Sequence, residues 1–536
     1  MLRKVIAVFL LVALILAGCG DQENQGNSST KPGEVQKGGN VSIPIVGDPI
    51  FNPWHPNAYA ESNIVNRVLF QGLTKPGLDN SPTANLAKEW STSDDGLVWT
   101  FLLKEGVKWH DGEEFDAEDV AFTFNDLVLN EALGSNGASN YKTLDKVVVV
   151  DPYTVEFHLT SPFAALPSYL AFNSEILPAH KFEGVEDPWD YIEFNKENPV
   201  GTGPFKFDKY VSGQSLTLKK NDEFHNGAPN LDSVTFKILP DLNTQIAQAL
   251  SNELDIFVLE DKSSLKRIEQ ASNLDLVTAD ITRYFWIAVD QENPKFQDVK
   301  VRQAMLHAID RETIIDTVIN GYGTVANAAI TPDQKQYFKD DLKTYGFDPE
   351  KAKELLKEAG WEDSDGDGIL DKDGEKFSFT FDIALQGDME QIAVLVQQYL
   401  KDVGFDVKLN TLEWNAMIQK NIIERDFDMM LNWWSYPSDP DVLAQYHSSN
   451  AGKGNNIPGY KNEELDELLE KGQSTSDPDE RKVIYDEIQD HMAENLPYIY
   501  LWYPQELSVR NSRLSGLPDL HFGGTLHYIN EWSVTK

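Results

Sequence analysis

At 536 residues, with 41% hydrophobic content and 12 tryptophans, the chain is long enough for two or three domains with substantial cores. Its formal net charge of −40 argues against nucleic acid as a partner, because phosphate binding needs the opposite sign. The charge favours solubility through self-repulsion, with a mild steering of cationic ligands as the sharper alternative. The single cysteine, Cys19, excludes an intrachain disulfide and a metal site built from several cysteines.

Taken in chain order, Arg3 and Lys4 precede an apolar run from Val5 to Ala17 that has signal-peptide length and is too short for a membrane span. Residues 1–19 are read as that signal. The run ends in Leu16-Ala17-Gly18-Cys19, which resembles the lipobox of bacterial lipoproteins. The resemblance implies cleavage before Cys19, a diacylglyceryl group on its sulfur, and a membrane held through that lipid. Residues 20–39 are polar and poor in apolar side chains, a composition that predicts a disordered tether.

From Asn40 onward, strand and helix patterns alternate, which predicts an α/β fold. Strands are expected at Asn40 to Val46, Leu97 to Leu103, Thr154 to Leu159, Ser215 to Lys219, Ser233 to Ile238, Phe405 to Leu409 and Tyr498 to Tyr503. A shorter strand pattern, Phe427 to Leu431, precedes Trp433. One amphipathic helix is expected over Asp298 to Ile319, and another opens at Asp348-Pro349 and closes at Gly360. A helix carrying Ile392, Val396 and Val403 closes at Gly404. Asp477-Pro478-Asp479-Glu480 opens a further helix, with Val483, Ile484 and Ile488 turned inward.

Four motifs follow one another in order. Leu86 to Phe124 contains the turns Asp95-Gly96 and His110-Asp111-Gly112 and a cap at Asp116. Asn198 to Phe207 reads NPVGTGPFKF, Phe296 to Ile315 reads FQDVKVRQAMLHAIDRETII, and Phe427 to Asn450 contains Trp433-Trp434-Ser435-Tyr436 before Asp439-Pro440-Asp441. Together they resemble the family 5 extracellular solute-binding proteins, whose members include oligopeptide, dipeptide and nickel receptors.

The resemblance implies a two-lobed clamshell of periplasmic-binding-protein type with an extra subdomain on lobe one. Lobe one would comprise residues 40–80, 200–282 and 505–536, the extra subdomain 81–199, and lobe two 283–504. Strands crossing near Thr282 and Pro504 would form the hinge. The function implied is capture of an oligopeptide for an ABC importer. Its partners would be permease subunits with cytoplasmic ATPases, and the protein would act as a monomer on the outer face of the cytoplasmic membrane. The ligand would lie extended between the lobes and pair with main-chain groups.

Trp433, Trp434, Ser435 and Tyr436 are the leading ligand candidates, because tryptophan and tyrosine present stiff apolar area with a polar tip. Trp414, Tyr284, Phe285, Trp286, Phe51, Asn52 and Trp54 follow. Short-peptide receptors of the family carry an aspartate where Tyr436 stands, and that carboxylate pairs with the peptide's α-ammonium. Its loss leaves two readings open: longer peptides gripped along their backbone, or a non-peptide such as an oligosaccharide or metal chelate.

Asp363, Asp365, Asp367 and Asp371 occupy calcium-loop positions, although Gly374 stands where an EF-hand needs glutamate. An acidic turn explains them as well as a structural calcium ion does, and no other cofactor is expected. Motifs of metalloproteases, serine hydrolases and P-loop enzymes are absent, so the chain is not read as an enzyme. A sensory receptor without transport remains the rival on the same scaffold.

Overall fold

Two large hydrophobic cores divide the chain almost cleanly by residue number. One is built only from residues between Tyr284 and Tyr503. The other draws on Val41 to Ile256 and returns for Phe522 to Val534. A small third cluster joins Ile246, Phe257 and Leu274 to Leu507 and Val509. The structure, a computed structural model, describes residues 37–535. The signal segment, Cys19 and the tether as far as residue 36 lie outside the described residues. Among the described residues, no helix is long and apolar enough to cross a membrane.

The second core is covered by two four-stranded sheets. In one, Asn40–Ile45 runs parallel to Ser233–Ile238, which pairs in turn with Ser215–Lys220 and then Phe205–Val211. The other is antiparallel throughout, in the order Ala87–Thr92, Val98–Leu103, Thr154–Leu159, Leu144–Asp151. Strand Val98–Leu103 buries Trp99, Phe101 and Leu103 on one face, the alternation expected of a half-buried strand.

The GTGP motif is locked to the HDG turn by His110. The Gly201 N–H donates to its Nδ1 at 3.1 Å, and its Nε2 lies 2.9 Å from the Gly203 carbonyl. Burial pushes the imidazole down to about 4, so the ring stays neutral and can accept at one nitrogen while donating at the other. Only glycine fits here: a Cβ on Gly201 would lie 1.9 Å from the Leu69 oxygen, and one on Gly203 would lie 2.3 Å from the Val68 oxygen.

An eight-stranded sheet is organised by the long strand Ile499–Asn511. Its first half pairs with Arg283–Val289 and Gly323–Val325. From Gln505 to Asn511 it pairs with Leu274–Asp280. The long strand thus changes partners between Pro504 and Gln505, beside the gap between Leu274–Asp280 and Arg283–Val289. The result is a two-lobed α/β architecture. Beyond Arg283–Val289 the sheet continues through Met429–Ser435, Ser378–Ala384 and Asp406–Leu412.

Several local expectations are corrected. The helix expected over 298–319 is two, Val299–Ala308 and Arg311–Thr317. Ile309 turns extended, and Asp310 caps a new helix by accepting from the Thr313 N–H. Val483 is 58% exposed, whereas Ile484 and Ile488 are buried as expected, because the helix Pro478–Asn495 is covered on one side only. The strand expected to end at Leu431 extends to Ser435, which places both tryptophans inside it. His521 and His527 belong to a helical C-terminal segment beside Arg67, where burial lowers the pKa of both.

Candidate functional site

Strand Met429–Ser435 carries the site. It pairs antiparallel with Arg283–Val289, with Tyr284 opposite Trp434 and Arg283 opposite Ser435. The Tyr436 N–H donates to the Thr282 carbonyl at 3.0 Å, so Tyr436, Trp434 and Asn432 turn their main-chain groups toward that partner. Trp433 and Ser435 therefore turn theirs the other way. On that side, strand Ser378–Ala384 pairs only with Met429 and Met430. Beyond Met430 the edge is open, apart from the Trp433 N–H, which its neighbour Asn432 accepts through Oδ1 at 2.8 Å. An open edge of this kind accepts an added strand.

Side chains alternate across this strand. One face presents Phe285, Trp433 and Trp414 with Trp502: Trp414 stacks on Trp433 at 4.9 Å, and Phe285 stacks on Trp502 at 4.4 Å. A depression of about 430 Å³, lined by Leu385, Gln386, Thr411, Leu412, Glu413 and Trp414, adjoins this ladder. Leu385 is 67% exposed at its rim, an apolar group open to a ligand side chain.

The opposite face is mostly core. Tyr284 and Trp286 are fully buried, and Trp434 leans on Trp286 at 5.7 Å with its Nε1 unpaired among the described residues. Tyr436 is 8% exposed; its hydroxyl meets that of Tyr284 at 3.2 Å, and burial raises it well above the usual tyrosine range.

The structure thus brings together Trp414, Phe285 and Trp433 on one face, with Ser435 farther along it, and turns Trp434 to the other face against Trp286. It corrects the expectation for three others. Trp286 is sealed inside the lobe, and the Tyr436 side chain faces the tyrosine cluster, leaving only its main chain near the edge. Asn52 is fully buried and accepts from the Trp54 N–H through Oδ1, and its neighbours Phe51 and Trp54 are core as well. The loop after the first strand packs inward because Trp54 donates its Nε1–H to the Glu175 carbonyl.

The turn after the open edge is held from below. Asp439 receives two hydrogen bonds from Arg481, at 2.6 and 2.7 Å, with both side chains almost wholly buried. Gln334 donates to the Asp439 carbonyl at 2.8 Å. The two lobes touch nearby. Asn80 donates to Asp333, whose carboxyl is raised to about 7 by burial and by Asp280 beside it. The Ala164 N–H donates to the Gln473 carbonyl at 2.9 Å. A cavity of about 330 Å³ lies between these contacts, lined by Asn80, Trp99 and Pro167 on one side and Gln334, Tyr337 and Arg481 on the other.

A group of charged residues near the crossing strands is absent from the sequence expectations. Arg67, Arg283 and Arg510 each feel the Glu506 carboxylate, yet each has a buried Nε with no hydrogen-bond partner among the described residues. Glu175, 4% exposed, has an unpaired Oε2, and burial raises its carboxyl. Buried polar groups are rarely left unpaired, so such a concentration marks a place that water or a ligand occupies. A charged residue inside an apolar strand, Arg283 beside Tyr284-Phe285-Trp286, was the available signal.

The acidic loop is self-contained. Asp363, Asp365 and Asp371 hold carboxylate oxygens within 4.8 Å of one another. Asp363 and Asp371 accept from loop N–H groups, while Lys376 sits on Asp365 at 2.8 Å and on Asp367 at 2.9 Å.

Comparison with known proteins agrees with this architecture. Residues 81–455 match the model of the bacterial extracellular solute-binding proteins, family 5 (middle region). The oligopeptide-binding protein AppA of Bacillus subtilis is 36% identical over 99% of this chain and 98% of its own. The dipeptide-binding protein of Escherichia coli is 28% identical over 78% of this chain and 80% of its own. The structure of AppA in complex with a nonapeptide superposes with a TM-score of 0.73 over 94% of this chain and all of that one. That of the substrate-binding protein CtaP from Listeria monocytogenes, 29% identical, gives 0.80 over 94% of this chain and all of its own. The chain belongs to family 5 of the bacterial extracellular solute-binding proteins.

Proposed function

We propose that the protein captures oligopeptides between its two lobes and delivers them to the permease subunits of an ABC importer driven by cytoplasmic ATPases. The observation that carries this reading is the open main-chain edge at Trp433 and Ser435, flanked by the Trp414–Trp433 stack. A peptide added there pairs through its backbone, whatever its sequence, and places alternate side chains against the aromatic ladder and the depression beside it. The likeness to AppA, whose structure holds a nonapeptide, supports a ligand longer than a dipeptide. The position of Tyr436 supports it too, since the phenol faces the core and leaves no carboxylate there for an α-ammonium group.

In this reading lobe one comprises residues 40–80, 200–282 and 505–536, with 81–199 as its extra subdomain, and lobe two comprises 283–504. The adjacent crossings at Ile281-Thr282 and Pro504-Gln505 act as the hinge. Cys19 carries the lipid that holds the protein, as a monomer, on the outer face of the cytoplasmic membrane.

Peptide capture needs no cofactor. The Asp363 loop is read as a turn whose charge Lys376 balances; a structural calcium ion is the alternative and would have to displace Lys376 from Asp365. A calcium-dependent rise in melting temperature, abolished by chelation, decides for the ion.

Mass spectrometry of what co-purifies with the mature domain tests the main reading. A ladder of mixed peptides is expected. A single glycan or metal chelate would keep the receptor and overturn the peptide.

A further inference from the structure

Next to the aromatic ladder, strand Arg283–Val289 opens on a guanidinium whose Nε has no hydrogen-bond partner among the described residues. Arg283 lies on strand Arg283–Val289, directly opposite Ser435, and shares a sheet face with Phe285 and Trp433. It is therefore the next pair on that face after the aromatic ladder, at the end of the open edge. Guanidinium offers five N–H donors in a planar fork. Among the described residues, none of the five from Arg283 meets a protein acceptor, and its Nε is sequestered from solvent.

The two carboxylates that feel its charge do not satisfy it. Glu506 is committed elsewhere, accepting from the Phe522 N–H at 2.5 Å and from the Ser508 hydroxyl at 3.3 Å. Glu260 is exposed to solvent. Arg67, which also feels Glu506, is similarly underused: a single hydrogen bond, to Asn173 at 3.0 Å, and an unpaired Nε. Arg67 and Arg283 thus sit among the carboxylates Glu175, Glu506 and Glu260, yet each keeps an unpaired Nε among the described residues.

Resting on the peptide-receptor reading, we propose that Arg283 is a specificity residue that pairs with a carboxylate of the bound peptide. The fork geometry suits a bidentate carboxylate, and partial desolvation strengthens such a pair. Ligand polarity is thereby read at an acidic group near the hinge, whereas position 436 holds nothing that could read the amine. The carboxylate has two chemical sources, a free C-terminus or an Asp or Glu side chain.

Calorimetry with synthetic nonapeptides tests this on the mature protein. One series carries a neutral sequence with a free or an amidated C-terminus. A second, amidated, carries a single Glu or Gln at each position in turn. Wild-type protein is expected to bind at least one carboxylate-bearing member tenfold or more tighter than its neutral counterpart. Preference within the first series identifies the C-terminus, and preference within the second identifies a side chain. Arg283→Gln should bring that ratio to within about twofold of one, and Arg283→Lys should retain part of it, since lysine keeps the charge and loses the fork. A ratio unchanged in Arg283→Gln, or no carboxylate preference in the wild type, overturns the subsite while leaving the receptor reading intact. Failure of every peptide to bind overturns both. Thermal melting of the two variants confirms that each is folded.

Discussion

Arginines in two regions of this molecule behave in opposite ways. Within lobe two, Arg302 donates to the carbonyls of Leu496, Phe296, Gln297 and Asn495, and Arg311 donates to those of Ala326, Tyr500 and Tyr345. Arg481 grips Asp439 with two nitrogens and the Gly472 carbonyl with its third. Near the crossing strands, Arg67, Arg283 and Arg510 leave an Nε unpaired among the described residues, as Arg425 does elsewhere. The first group is structural: each guanidinium ties loops and helix ends that carry orphan carbonyls. The second has been brought into a partly desolvated place with its donors incompletely paired, an arrangement that a fold tolerates where a ligand completes it.

The largest expected effect breaks the first region. Arg481→Ala leaves Asp439 buried without its partner, and such a loss costs about 3–5 kcal/mol. Urea unfolding measures it. Because Asp439 sits in the turn after Ser435, peptide affinity should fall as well.

Lowering the pH tests the same contrast through neutral histidines. Burial pushes His110, His225 and His521 each down to about 4 from an ordinary 6.5. At these three residues the unfolded chain binds more protons than the folded one between those values, so they make stability decline as pH falls from about 6.5 toward about 4, against an opposite contribution from Asp333. Melting temperatures across that range should drop steadily, and His110→Gln should flatten the curve. An unchanged slope would mean that His110 does not hold the Gly201–Gly203 turn as a neutral ring.

Trp434→Ala should weaken peptide binding by about 1 kcal/mol or more, as loss of a partly buried aromatic anchor does. Equal affinity would assign Trp434 to the lobe core along with Trp286.

The smallest expected effect sharpens the contrast most. Arg283→Gln should change unfolding free energy by less than about 0.5 kcal/mol, because no folded-state partner is lost. A destabilisation comparable to that of Arg481→Ala would move Arg283 into the structural group.

Much of this was legible in the residues. Caps at Asp116, Asp348 and Asp477 and the alternation in Val98–Leu103 are local signals, and they placed elements to within a few positions. The break at Asp310 was visible too, as an N-cap inside a helical stripe, but the continuous apolar pattern masked it. The aromatic cluster at Trp433-Trp434 was legible as a composition, although not as an orientation. Consecutive strand residues face opposite ways, and which face meets the core depends on what packs against it.

By itself, the amino-acid sequence determined the α/β order of elements, the family and the cluster of aromatic candidates, because those rest on periodicity, capping and short motifs within one stretch of chain. Tertiary structure alone decided that Trp286, Asn52 and the Tyr436 phenol are sealed in the interior, that the edge beyond Met430 is open, and that Arg67, Arg283 and Arg510 all feel the charge of Glu506. These facts depend largely on contacts between residues far apart in the chain. Burial and hydrogen-bond satisfaction are properties of those contacts, and no local pattern encodes a partner that is missing.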